Sequence, residues 1–191
     1  MFYKGMHFIF FDVETTGITA NGDGNDDYPI ELAMILTDEN LVFKDYLQAF
    51  INWPWINYYN FIDWPSVYRD AYHIHKIELQ TIKQFGFSPE SIVAKIRNLL
   101  THNISADNNN RPTLVSDNAY FDTLMLHKLF NESSQANKFL ELFHYTSWDI
   151  NILYKAAGVE KASEHNHNAL GDAANMWHRT LRSLEKIKYF D

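Results

Sequence analysis

HFIFFDVETTG, residues 7–17, decides how this chain is read. A run of aromatic and β-branched residues ends abruptly in two carboxylates, Asp12 and Glu14, followed by a small hydroxyl-rich turn, Thr15-Thr16-Gly17. The composition of the run predicts a buried strand over residues 7–13. Side chains alternate across a strand, so Asp12 and Glu14 share one face. Two like charges at the end of a buried strand are costly unless something positive lies between them. A divalent cation meets that need, and the remaining chain is read for further ligands.

Outward from this strand, residues 18–28 form a loop rich in Gly, Asn and Asp. Its Asp23, Asp26 and Asp27 lack the spaced Glu of a calcium-binding loop and read as solvated charges. Residues 30–37 and 41–51 predict two further strands, joined by Asp38-Glu39-Asn40 in an antiparallel hairpin. The chain therefore opens with a three-strand meander. Glu31, on the second strand, either supports the Asp12–Glu14 pair or flanks the turn.

Residues 52–64 hold Trp53, Trp55, Tyr58, Tyr59, Phe61 and Trp64. Such rings serve as a stacking platform for bases, as a lid or extended loop packed onto the sheet, or as a subunit contact. No basic residues interleave with them, which favours packing. Residues 67–85 read as helix, broken near His75. Ser88-Pro89-Glu90 is a helix start, with Ser as N-cap and Pro at the first position. That helix runs to Leu100, and a loop covers residues 107–112. A short strand at 113–116 precedes a helix at 119–130. Further helices are expected at 135–143, at 149–157 with Asp149 as its N-cap, and at 169–187. In the last, Leu170, Ala173, Ala174, Trp177, Leu181, Leu184 and Ile187 recur at helical spacing and are expected to cover the sheet. Strands first, then alternating strand and helix, predict a single α/β domain over residues 1–191 with a mixed sheet flanked by helices.

Composition narrows the function. The chain has 191 residues, 46% of them hydrophobic, enough for a sizeable core. There is no cysteine, so any metal is held by oxygen or imidazole, which suits Mg²⁺ or Mn²⁺. A net charge of −8 argues against a broad electrostatic grip on duplex nucleic acid. Bound cations supply positive charge locally, so a phosphodiester substrate remains compatible. Residues 8–11 are too short an apolar run for a signal peptide, and no window approaches a membrane span. The expected location is cytoplasmic, or its viral equivalent, with no membrane partner.

Three segments bear chemistry: Asp12-Val13-Glu14, then Ser116-Asp117-Asn118-Ala119-Tyr120-Phe121-Asp122, then His167-Asn168-Ala169-Leu170-Gly171-Asp172. Each alone is weak, since an Asp at a helix start is commonly a cap or a dipole partner. Together they offer four carboxylates and a His at the edges of one sheet. In this order and spacing they resemble the DEDDh 3′–5′ exonucleases, the family of proofreading subunits, oligoribonuclease and ribonuclease T. FFDVETTG matches the Asp-x-Glu motif, SDNAYFD the motif ending in Phe-Asp, and HNALGD the His five residues before an Asp. Asn168, four residues before Asp172, excludes the sister form that carries Tyr there. Asp117 departs from the pattern, because many members have His before the Asn.

The resemblance implies an RNase H-like fold and a two-cation hydrolysis of phosphodiester bonds at single-stranded 3′ ends, releasing nucleoside 5′-monophosphates. By it, Asp12 bridges the cations, Glu14 and Asp172 complete the first, and Asp122 holds the second. His167, preferred over His165 on spacing, is the general base, because imidazole titrates near neutral pH. The Thr15-Thr16-Gly17 backbone, with Asn118, contacts the terminal nucleotide. DNA is favoured over RNA as substrate. An exoribonuclease acting on oligonucleotides and a non-catalytic nucleic-acid-binding module are the alternatives. A homodimer is expected only by family analogy.

Overall fold

A computed structural model describes residues 5–17, 27–58, 66–104, 111–160 and 167–188, with the side chains of 58, 66–70 and 188 excepted. Expectations for Asp23, Asp26, Tyr59, Phe61, Trp64 and His165 lie outside the described residues. β1 (Phe8–Thr15), β2 (Pro29–Thr37) and β3 (Phe43–Phe50) form the expected antiparallel meander. β4 (Thr113–Ser116) and β5 (Ser147–Asp149) add in parallel, giving a five-stranded mixed sheet in the order β3-β2-β1-β4-β5. This is the RNase H-like arrangement expected from the sequence.

The alternation of β1 divides the core. Ile9, Phe11 and Val13 belong to one cluster, with α2 (Leu79–Phe85), α3 (Pro89–Asn103) and α4 (Ala119–Glu132). Phe8 and Phe10 belong to a second cluster, beneath α6 (Asn151–Ala156) and α7 (Ala169–Lys188). Asp12 and Glu14 continue the Phe8–Phe10 stripe, so they open toward α7. The helix expected over 67–85 is broken as foreseen: α1 (Ser66–His75) ends at Lys76, whose φ is 59°, and α2 follows. Ser88 caps α3, its Oγ accepting the Ser91 N–H at 3.3 Å.

Several expectations shift. The β2–β3 turn runs on to Val42, because Asp38 Oδ1 accepts the N–H groups of Asn40 and Val42 at 2.9 and 3.0 Å. Residues 135–143 are not one helix but a 3-10 turn, Ala136–Lys138, followed by the short α5 (Phe139–Leu142). Asp149 ends β5 rather than starting a helix, though its Oδ1 still accepts the Asn151 N–H at 3.0 Å. Asp27, read as a solvated loop charge, is 1% exposed. The main chain of its neighbour Tyr28 is bonded to Thr16, which draws the segment inward. The fully buried stripe of α7 is Ala169, Ala173, Met176, Arg179, Thr180 and Ser183. It lies beside the apolar residues expected there, of which Leu170, Ala174, Trp177, Leu181 and Leu184 pack at its margin.

Candidate active site

The carboxylate end of β1 is shaped by three local devices. The β1–β2 register shifts between Glu14 and Thr15, and such irregularities re-aim the side chains beside them. Thr15 Oγ1 donates to the Gly17 carbonyl at 2.8 Å. The Thr16 N–H donates to the Tyr28 carbonyl at 2.9 Å, and Thr16 Oγ1 accepts the Tyr28 N–H at 3.0 Å. Both threonine hydroxyls therefore hold the turn together. Behind it, Trp53 is buried, its Nε1 donates to the Pro29 carbonyl at 2.6 Å, and its ring meets Tyr28 edge-on. Trp55 packs edge-on against Tyr28 as well. These two rings are packed, as the lack of interleaved basic residues suggested, and they brace the turn.

Asp172 lies on the first turn of α7. The start of that helix is fixed twice. Glu31 Oε2 accepts the Ala169 N–H at 3.3 Å, and Asn168 Oδ1 accepts the Gly171 N–H at 2.8 Å. With α7 so docked, Asp12, Glu14 and Asp172 each offer a carboxylate oxygen within 4.8 Å of the others. Asp122 reaches the same strand end from α4, on the opposite face of the sheet. It is 4% exposed, and its Oδ2 accepts a hydrogen bond from Ser116 Oγ. Asn118 is exposed, its N–H donating to Ser116 Oγ at 3.1 Å. His167 is also exposed and has a φ of 42°, a left-handed backbone that residues other than Gly seldom adopt.

The electrostatics of this cluster are severe. Loss of water, and then the charges of Asp122, Glu14 and Asp172, raise Asp12 well above the ordinary carboxylate range. Burial, then Glu31 and Asp172, push Glu14 up to about 8. Burial raises Asp122 to about 7 against the opposing pull of the Ser116 hydroxyl. Each is a group that favours the proton until a cation arrives.

No family model matches the sequence, and no curated protein matches it. Solved structures do match. Exonuclease I of E. coli, in complex with a dA16 oligonucleotide, superposes with a TM-score of 0.68 at 18% identity, over 96% of this chain and 42% of that one. The nuclease domain of 3′hExo, a DEDDh family member bound to rAMP, superposes with a TM-score of 0.64 at 12% identity, over 97% of this chain and 94% of that one. The fold is that of the DEDDh exonucleases. A full-length 3′-exonuclease gives a TM-score of 0.61 at 15% identity, over 94% of this chain and 81% of that one. The chain spans about two fifths of the length of exonuclease I.

All five residues expected from the motifs stand around one strand end or at its margin. Sequence reasoning left Glu31 undecided and missed two residues. Glu31 is 2% exposed and docks α7; it stands opposite Glu14 in the β1–β2 register, a pairing that the structure shows. His75 is buried, its Nδ1 accepts the Ile77 N–H at 2.9 Å, and its ring interacts with the Thr15 backbone. Burial lowers its pKa to about 4, so it is neutral at physiological pH. Arg179, a buried cation on α7, was hidden by its polarity in a helix read for apolar spacing.

Proposed function

We propose that this chain is a metal-dependent 3′–5′ exonuclease. It hydrolyses phosphodiester bonds at the 3′ ends of single-stranded nucleic acid, DNA in preference to RNA, and releases nucleoside 5′-monophosphates. One observation carries the reading: carboxylates from a strand end and a helix start converge, with oxygens of Asp12, Glu14 and Asp172 within 4.8 Å of one another.

The residues present fit a divalent metal. The donors are all oxygen, which suits Mg²⁺ or Mn²⁺. Burial, and then neighbouring negative charge, hold the Asp12 and Glu14 carboxyls above the ordinary range, and a cation relieves both. Asp12, Glu14 and Asp172 would hold one cation, and Asp12 with Asp122 the second. When bound, such a pair neutralises charge on the phosphoryl oxygens and lowers the pKa of the attacking water. His167, exposed at the lead-in to α7, accepts the proton from that water. The rigid Thr15-Thr16-Gly17 backbone and Asn118 seat the terminal nucleotide. Nothing in a net charge of −8 favours long duplex, so short or frayed strands are the substrates.

Two of the structural neighbours differ in the nucleotide bound, dA16 in exonuclease I and rAMP in 3′hExo. An exoribonuclease is therefore the second reading. The experiment runs 5′-labelled single-stranded DNA and RNA with Mg²⁺ or Mn²⁺ and resolves the products on a gel. Laddering from the 3′ end that disappears with EDTA and in Asp12→Ala is the expected result. The faster ladder identifies the sugar. Binding without shortening in either metal would leave a non-catalytic nucleic-acid-binding module.

A further inference from the structure

Arg179 is 4% exposed. A guanidinium does not shed its charge, so burying one requires a partner. Here Nη1 lies 3.3 Å from Asp117 Oδ2, and the guanidinium rests on the Tyr154 ring, with Cζ 3.8 Å from its centroid. Tyr154 is fixed in turn by its hydroxyl, which donates to the Met176 carbonyl at 2.9 Å. Asp117 is also held through its main chain. Its N–H donates to Met176 Sδ at 3.1 Å, and its carbonyl accepts from Asn151 Nδ2.

These contacts join two ligand-bearing elements. Asp172, Met176 and Arg179 follow one another at helical spacing, so one face of α7 carries all three. Asp117 opens the turn whose next residue, Asn118, accepts the Asp122 N–H at 3.0 Å through its carbonyl. α4 and α7 pack in separate core clusters on opposite faces of the sheet. The sheet ties Asp122 through Ser116 of β4 and the start of α7 through Glu31 of β2, and the Asp117–Arg179 contacts add a direct link between the α4 turn and α7.

We propose that Asp117 and Arg179 are a positioning pair, which fixes the Asp122 carboxylate relative to Asp172 and thereby sets the affinity for divalent cations. This rests on the reading of those carboxylates as metal ligands. It is a property of this chain, because Asp117 stands where the sequence departs from the DEDDh pattern.

Charge and position make opposite forecasts for one variant. Arg179→Met removes a positive charge beside Asp117 and so adds net negative charge behind the site. Asp117 already acts on Asp12 through its charge, so charge alone would tighten cation binding. Loss of position weakens it. The test is calorimetric titration of Mn²⁺ into wild type, Arg179→Met, Asp117→Asn and the double variant, each checked for a cooperative thermal melt. Breaking one side of a buried pair destabilises strongly, whereas replacing both sides is far less costly. The double variant therefore separates fold from position. In Arg179→Met and in the double variant, affinity falls about tenfold or more, the usual effect of losing a residue that orients a metal ligand. The Mn²⁺ needed for half-maximal cleavage rises in step, and KM for the oligonucleotide stays near wild type. Affinity within about twofold of wild type in a folded double variant, or tighter binding in Arg179→Met, would overturn the proposal.

Should Arg179→Met not fold, Arg179→Lys retains the charge but loses the planar seat on Tyr154. It is expected to bind Mn²⁺ more weakly, and wild-type affinity there overturns the pair equally. The titration needs no substrate. Wild type that binds Mn²⁺ but shortens no strand would sink the exonuclease reading and leave the pair standing.

Discussion

Asp12 and Glu14 share a face with Phe8 and Phe10, so the parity that buries two rings also aims two carboxylates at α7. Acidic neighbours Asp122, Glu14, Asp172 and Asp117 all act on Asp12. Asp12→Ala should abolish strand shortening and remove the rise in melting temperature that Mn²⁺ gives the wild type. A variant that still melts higher with Mn²⁺ would shift the bridging role to Glu14. His167 belongs to a different class, because its substitution leaves every carboxylate in place. His167→Ala should lower the single-turnover rate by about 10²–10⁴-fold, the ordinary contribution of a general base. Calorimetry should find its Mn²⁺ affinity unchanged. An undiminished rate would assign the proton to another acceptor.

At the scale of elements, the site depends on how well α7 is docked, and Glu31 is the hinge of that docking. Its Oε1 accepts from Gln48 Nε2 at 2.8 Å and its Oε2 from the Ala169 N–H at 3.3 Å. Glu31→Ala leaves two donors without an acceptor, one of them the buried Ala169 N–H, a loss of about 1–3 kcal/mol. Urea unfolding reads it as a lower midpoint at unchanged slope, and faster amide exchange at the start of α7 would locate it. Trp53→Ala, which empties the space behind the Thr16 turn, should cost about 3–5 kcal/mol. Elements with local signatures were legible in sequence: β1 by its apolar run, α3 by its Ser-Pro start, α7 by its spacing. β5 was not, because its three residues carry no alternation and exist as a strand only through pairing with β4. The buried face of α7 was read only in part, for a related reason. Thr180 Oγ1 donates to the Met176 carbonyl and Ser183 Oγ to the Arg179 carbonyl, each at 2.8 Å. Polar side chains that satisfy themselves on their own helix can be buried, and hydropathy does not register this. The motif residues were readable because each sits in a short local signature. Glu31 and Arg179 were not, because their partners lie 138 and 62 residues away.

Across the whole molecule, whose net charge is −8, several acidic groups are gathered in one buried cluster, and stability should follow pH accordingly. Glu14 is pushed up to about 8 and Asp122 to about 7. Between the ordinary carboxylate range and these values, the folded chain binds more protons than the unfolded one. That contribution is whole below about pH 4 and is lost as pH rises through the folded values. His75 works the other way. Its pKa is lowered to about 4, so its contribution is present above the ordinary histidine value and is lost as pH falls through about 4. Above about pH 6.5 the histidine contribution is complete, and the carboxylates alone govern the trend. In EDTA the melting temperature should therefore fall between pH 6.5 and 8.5. Excess Mn²⁺ should flatten or reverse that fall, because the cation binds the ionised carboxylates and stabilises only the folded site. Asp122→Asn and Glu14→Gln remove titrating groups and should each make the EDTA profile shallower. A profile in EDTA that is level from pH 6.5 to 8.5, and that Mn²⁺ leaves unmoved, would mean that these carboxylates are neither strained by one another nor waiting for a metal.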